Sequence, residues 1–218
     1  MRTLAIGDIH GCLKSLETLA DFVDFSPEDT IITLGDYIDR GPRSKGVIDY
    51  LLKLRETHKV ITLKGNHEIM MEDAQTKYED LMNWLLNGGI ETLTSFGAVE
   101  FEQIDQKYWD FFKSCIDYHE TDDHIFVHAG LIPDQPLEDQ TDHAKFWLRF
   151  HETEQHHSGK TIICGHTPQN PPVPAVEDHA ICIDTAACNR GWLTCLDVDT
   201  GEYWQANQKG KTRRGKID

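Results

Sequence analysis

The chain of 218 residues carries 37 acidic and 21 basic side chains, a formal charge of −16, which argues against a sequence-independent grip on nucleic-acid phosphates through a basic surface. With 39% hydrophobic residues and a length that buries roughly 70% of the unfolded surface, it predicts one domain that folds without disulfides or a structural metal. Six cysteines without a CxxC pair, no secretory leader pattern and no apolar run of bilayer length predict reduced, buried thiols in a cytoplasmic protein that neither binds nucleic acid nor enters a membrane.

From the N-terminus, residues 3–6 read as a strand and 12–25 as a helix, 30–34 as a strand and 44–54 as a helix, then 60–63 as a strand with a helix from 67. That alternation predicts an α/β fold. Each of the three runs ends in a glycine followed by Asp or Asn, so the polar residues fall at the carboxyl ends of strands, where open α/β sheets place their sites. Between 68 and 119, apolar residues recur at helical spacing. Tyr78, Leu81, Met82, Leu85 and Leu86 form one stripe and Tyr108, Phe111, Phe112 and Cys115 another, both expected to face the core. Runs at 124–127, 161–164, 179–183, 192–198 and 203–205 read as strands that add a second, largely antiparallel sheet. Lys209, Lys211, Arg213, Arg214 and Lys216 read as a solvated, frayed tail over 207–218, beyond a catalytic domain of 1–206.

In Gly7-Asp8-Ile9-His10-Gly11 the acid and the imidazole stand two apart at the end of an extended run, so they project to one side and can share a metal ion. Gly35-Asp36-Tyr37-Ile38-Asp39-Arg40-Gly41-Pro42 repeats the strand-ending Gly-Asp and adds a second acid and an arginine. Gly65-Asn66-His67-Glu68 supplies an amide oxygen and an imidazole in the same position. A solvated Asp/His turn would explain the first segment alone, and a capped helix start, with Asp39 as N-cap and Pro42 early in the helix, the second. Three in succession delivering Asp/His, Asp and Asn/His point instead to a metal and its attendant base. His128, in Val127-His128-Ala129-Gly130, and His166, in Gly165-His166-Thr167-Pro168, recur at the same strand-to-loop junction and join the set. His143, His151, His156 and His157 lie in a polar stretch and are expected on the surface.

These five segments, in this order, resemble the phosphoprotein phosphatase branch of the calcineurin-like metallophosphoesterases, and most closely its compact bacterial and phage members. The resemblance runs from Gly7 to about Trp204. It implies a four-layer αββα sandwich, two central mixed sheets flanked by helices, with metals at the sheet edge. It also implies that Asp8, His10 and Asp36 bind a first divalent ion and that Asp36, Asn66, His128 and His166 bind a second, Asp36 bridging. His67, held by Asp39, is the implied proton donor, and Arg40 and Arg149 match arginines that hold substrate phosphate, for which a planar guanidinium fork is suited. Oxygen and imidazole donors without cysteine suit manganese, with iron or zinc also compatible.

The implied chemistry is direct attack on phosphorus by a hydroxide held between two ions about 3.5–4 Å apart, without a phosphoenzyme. Phosphoserine and phosphothreonine in proteins are the leading expected substrates, with phosphotyrosine and small aryl phosphates tolerated. Symmetrical cleavage of dinucleoside polyphosphates such as diadenosine tetraphosphate is the rival, cleavage of cyclic or other phosphodiesters a weaker third, and a non-catalytic binding module the reading from another class. One departure stands out. Where the family commonly shows Ile-Asp-Thr-Gly, this chain has Ile183-Asp184-Thr185-Ala186-Ala187, which predicts an altered backbone at the rim and leaves Asp184 to orient a neighbouring histidine.

Overall fold

Short β-branched runs and amphipathic helices alternate through the first third of the chain, and in the computed structural model, which describes residues 1–217, they build half of a sandwich. Strands β1 (Thr3–Ile6), β2 (Thr30–Thr33) and β3 (Lys59–Thr62) pair in parallel, Leu4 opposite Ile31 and Ile31 opposite Val60. Helices α1 (Leu13–Val23) and α2 (Ser44–Leu54) are the crossovers. Each buries one stripe: Leu16, Leu19 and Val23 on α1, and Val47, Ile48 and Leu51 on α2. Helix α3 (Asn66–Asp73) leaves β3 directly. It is followed by α4 (Tyr78–Trp84), a π-helical segment (Leu85–Gly89), α5 (Ile90–Phe96) and α6 (Gln106–Ser114).

The second sheet has the order β4-β5-β6-β8-β7, built from β4 (Tyr118–Glu120), β5 (His124–Val127), β6 (Thr161–Cys164), β7 (Ala175–Glu177) and β8 (Ala180–Cys182), with α7 (Asp142–Trp147) between β5 and β6. Its centre, β5-β6-β8, is parallel and only its edges are antiparallel, which corrects the expectation of a largely antiparallel sheet. The connections of β5 to β6 and of β6 to β8 are long enough to return the chain to the same end, which is what parallel pairing requires. The last strands, β9 (Leu193–Asp197), β10 (Glu202–Ala206) and β11 (Thr212–Lys216), do not extend that sheet. They return to the first one antiparallel, giving the order β11-β10-β9-β1-β2-β3. The two mixed sheets face each other across Ala5, Ile32, Leu34, Leu63, Phe126 and Ile163, and helices cover their outer faces.

Two further expectations change. Residues 212–216 are not a frayed tail but an edge strand, because Arg213 lies over the Trp192 ring at 4.4 Å and its guanidinium donates to Gln205 Oε1 and the Pro172 carbonyl, each at 2.6 Å. Of the two apolar stripes, the one on α6 is buried, but Tyr78, Met82 and Leu86 are exposed; only the adjacent Leu81 and Leu85 pack inward. The six cysteines carry free thiols, five of them buried and Cys188 partly so. No described helix is long and apolar enough to cross a membrane.

The register of β1 against β2 is set just outside the strands. Asp29 accepts from the Arg2 backbone N–H at 3.0 Å, from its guanidinium at 3.1 and 2.5 Å and from the Ser26 N–H at 2.9 Å. Burial raises the Asp29 carboxyl, but the Arg2 guanidinium and the N–H groups of Ser26 and Arg2 outweigh it and hold the group below its ordinary value. A carboxyl lowered by folding contributes stability that is complete above its unfolded value of about 3.9 and is lost as pH falls through the folded value. Asp29→Asn is therefore expected to cost about 1–3 kcal/mol in urea unfolding at pH 7. The difference from wild type should shrink below about pH 4, and a pH-independent difference would show that the ion pair is not its source.

Candidate active site

The carboxyl ends of the parallel strands of both sheets open on one edge. β1 delivers Asp8 and His10, β2 delivers Asp36, β3 leads into Asn66 and His67, β5 into His128, and β6 into His166. All seven side chains are at most 8% exposed, in a protein whose ordinary polar residues face water. Two glycines permit the approach. A Cβ on Gly65 would collide with the Asp36 carboxylate, and one on Gly165 would collide with that of Asp8. His10, Asp36, Asp39, Arg40 and His166 all have positive φ, from 44° to 68°, a region costly for residues with a Cβ.

Asp36 is the centre. Its Oδ2 lies 3.4 Å from His10 Nε2 and 4.0 Å from His67 Nε2, and its Oδ1 lies 3.6 Å from His128 Nε2. Donor atoms of His10, Asp36 and His67 fall within 4.8 Å of one another, as do those of Asp8, Asp36 and His128, so Asp36 belongs to both groups. His10 Nδ1 donates to the Ile38 carbonyl at 2.9 Å and His128 Nδ1 to that of Leu34 at 2.8 Å, which leaves each Nε2 with a lone pair facing the centre. Burial is the main cause that drives His10 and His166 down to about 3 and lowers His128, so all three imidazoles are neutral ligands in waiting. Burial alone would raise Asp36, but the neighbouring His128, His67 and His10 keep it below the usual carboxylate range. Burial, with the charges of Asp184 and Asp36, pushes Asp8 well upward.

This donor set fits divalent cations. Asn66 Oδ1 stands 2.9 Å from both His128 Nε2, whose lone pair it faces, and His166 Nδ1, and His166 Nε2 is buried without a hydrogen-bond partner. Buried carboxylates gathered with neutral imidazoles require a positive charge, and oxygen and nitrogen donors without a thiolate suit a hard or borderline ion.

Beside this centre, His67 Nδ1 bonds Asp39 Oδ2 at 2.7 Å, with both residues out of contact with water. Burial lowers the His67 imidazole, but Asp36 and the bond to Asp39 outweigh it and the group is raised, so it can carry two protons. Arg40 Nη1 lies 2.9 Å from His10 Nε2. Arg149, on the loop after α7, donates to the His166 carbonyl at 3.4 Å. Both arginines line a cleft of about 500 Å³ together with Asp36, Asn66, His67 and His166, and Met70, Asn83, Asn87, Trp147, Pro168 and Asn189 make its walls.

The residue the sequence reading missed is Glu68. Its carboxylate accepts from the N–H of Gly65, Asp36 and Tyr37, each at 2.9 Å, and from that of Ile38 at 3.4 Å, tying β3's end to the loop that carries Asp36. The signal was present: an acid three residues after the residue that precedes a helix is the spacing of a helix N-terminal cap. Trp84 and Thr92 were also missed; both donate to Asp39. Asp184 does not orient a histidine: its Oδ1 accepts from the Ala186 N–H at 3.0 Å, and burial first of all pushes it up to about 6 beside Asp8. Ala186 itself keeps a left-handed backbone, φ 60° and ψ 45°, so the departure from glycine leaves the turn in place. His143, His151 and His157 are exposed as expected, but His156 is buried, bonding Ser158 Oγ and the Gln135 carbonyl at 2.9 Å each.

The family model described as calcineurin-like phosphoesterase matches residues 1–199. A symmetrical bis(5'-nucleosyl)-tetraphosphatase of Pseudomonas syringae is 32% identical over 145 residues, 66% of this chain and 47% of that protein. Serine/threonine-protein phosphatase 1 of Salmonella typhimurium is 41% identical over 102 residues, 45% of each chain. The chain thus spans about half the length of the curated relatives it matches. Among solved structures, a cold-active protein-tyrosine phosphatase of a psychrophilic Shewanella superposes with a TM-score of 0.66 at 16% identity, covering 98% of this chain and 80% of that one, a likeness of fold.

Two substitutions probe how the site is held. Glu68→Gln sets an amide N–H₂ against backbone N–H groups that now find an acceptor, so we expect a lower thermal midpoint and at least about tenfold weaker retention of divalent metal, measured by dialysis and metal analysis. Unchanged metal content would dismiss Glu68 as a support of the centre. Ala186→Gly removes a Cβ from a left-handed position whose cost of about 1–2 kcal/mol exceeds the added chain entropy of about 0.5–1 kcal/mol. The thermal midpoint should therefore hold or rise, and a clear fall would contradict this account.

Proposed function

This chain belongs to the calcineurin-like phosphoesterase family, and from that premise we propose that it hydrolyses phosphate monoesters, with phosphoserine and phosphothreonine as the leading substrate class. Calcineurin-like phosphoesterases use a dinuclear metal centre. We assign Asp8, His10 and Asp36 to one ion and Asp36, Asn66, His128 and His166 to the other, with manganese as the ion, because the donors are carboxylate, amide and imidazole. When bound, the two ions supply positive charge at the phosphoryl oxygens and ease ionisation of the attacking water.

The chain's own groups do the rest. Arg40 and Arg149 both line the cleft, and their guanidinium forks suit the non-bridging phosphate oxygens. As water bonds to phosphorus and the bond to the leaving oxygen breaks, His67 passes its Nε2 proton to that oxygen, while Asp39 on Nδ1 holds the imidazolium in place. The observation that carries the substrate reading is this buried pair, 2.7 Å apart. A serine or threonine alkoxide is too basic to leave unprotonated, whereas a nucleotide phosphate leaves as a stable anion and needs the proton far less. A second reading, symmetrical cleavage of dinucleoside polyphosphates, is favoured by the Pseudomonas relatives that carry that activity in their names.

Metal-stripped protein restored with manganese should release phosphate from a phosphothreonine peptide and from p-nitrophenyl phosphate. His67→Asn should lower turnover of the peptide by roughly 10²–10⁴-fold. Faster turnover of diadenosine tetraphosphate than of either ester would replace the monoester reading with the dinucleotide one.

A further inference from the structure

Asp39 and Arg40 occupy consecutive left-handed conformations, φ 68° and 66°, next to the candidate metal centre. One helical unit, residues 78–96, grips both. Thr92 Oγ1 accepts from the Asp39 N–H at 2.8 Å and donates to Asp39 Oδ1 at 2.7 Å. Trp84 Nε1 reaches Asp39 Oδ2 at 2.9 Å and Oδ1 at 3.1 Å. The Gly88 carbonyl accepts from the Arg40 N–H at 3.3 Å. Trp84 and Thr92 are both fully buried.

The break in the helix makes this grip possible. Positions eight apart on an ideal α-helix lie about 80° apart round its axis, so Trp84 and Thr92 on a regular helix would not converge on one carboxylate. The wider turn at Leu85–Gly89, with Gly88 at φ 113°, takes up that offset and presses its backbone onto Arg40, where a Cβ on Gly88 would collide with the Arg40 backbone. A helix that only had to cover the core would gain nothing from such a turn.

We infer that Trp84 and Thr92 are positioning residues for proton delivery to the leaving group: they hold the Asp39 carboxylate in the one rotation that aligns His67. The inference rests on the reading of His67 as proton donor. Asp39 has two oxygens and three side-chain donors, Thr92, Trp84 and His67, so loss of either outer donor frees the carboxylate to turn and the imidazole to follow it. Its consequence depends on the leaving group. An ester whose leaving oxygen is weakly basic needs little protonation, whereas an alkyl ester needs much.

The test compares Thr92→Val, Thr92→Ser and Trp84→Phe with wild type on a phosphothreonine peptide and on p-nitrophenyl phosphate. In Thr92→Val and Trp84→Phe, kcat should fall about tenfold further on the peptide than on the aryl ester, with KM little changed, and Thr92→Ser should recover the peptide activity. An equal fractional loss on both esters would reduce the two residues to core packing. A second readout needs no turnover: in zinc-loaded protein, the low-field imidazole proton resonance that His67→Asn abolishes should move upfield in Thr92→Val and Trp84→Phe and return in Thr92→Ser. A resonance that stays in place overturns the inference. If wild type hydrolyses neither ester, the monoester reading falls while this resonance still decides whether the clamp aligns His67.

Discussion

A carboxylate buried among imidazoles is the constraint on which the rest of this molecule turns. Asp36 is 2% exposed, and His128, His67 and His10 hold it below the usual carboxylate range against the cost of burial. Its backbone is used as fully as its side chain. The carbonyl accepts from the N–H of Ile9 at 3.1 Å and of His10 at 2.8 Å, the N–H donates to Glu68, and Oδ1 accepts from the His67 N–H at 3.0 Å. Three strand ends are thus tied to one residue. A buried charge so placed is tolerable only with a cation or proton donors around it, and the sandwich supplies imidazoles whose remaining lone pairs all point at the same small volume.

Holding those groups so close imposes strain, and the strain is localised. Among the described residues, eight non-glycine positions have positive φ, and five of them are His10, Asp36, Asp39, Arg40 and His166. Such conformations persist only where surrounding bonds over-determine them. Here those bonds are identifiable: Glu68 on the Asp36 loop, Thr92 and Gly88 on Asp39 and Arg40, and Asp8 on the His166 N–H at 3.2 and 3.1 Å. The supports come from helices α3 to α5 and from β1, so the site is braced by the layer that also covers the first sheet.

That division explains what could be read in the sequence. Asp8, His10, Asp36, Asn66, His128 and His166 were legible because each sits one to four residues past an apolar run, and strand-end position is a local property. The helices α1 and α2 were legible from their stripes. The support of Asp39 was not, since Trp84 and Thr92 lie 45 and 53 residues from it and look like core residues of any helix. β4 and β7 have three residues each, too short for alternation to register, and the runs of β9 and β10, which belong to the first sheet, were counted in the second. β11 was hidden by its arginines, lysine and glycine, a composition typical of a tail, which here is an edge strand kept charged. His156 is buried because Gln135 and Ser158 satisfy both its nitrogens, a match that no spacing announces.

The same division bears on substrate choice. On the proposed reading, the metal-binding groups come from strand ends and would be indifferent to what the phosphate is attached to. Discrimination has to come from the walls, Asn83 and Asn87 on the broken helix, Trp147 at the end of α7, and Pro168 and Asn189 on loops. Asn83 and Asn87 stand on the same helical unit that grips Asp39, and they bond each other, Asn87 Nδ2 reaching Asn83 Oδ1 at 3.2 Å and its carbonyl at 2.9 Å. If His67 is the proton donor, a leaving group pressed against that wall would push on the element that grips Asp39, so recognition of the leaving group and its protonation would share one helical unit.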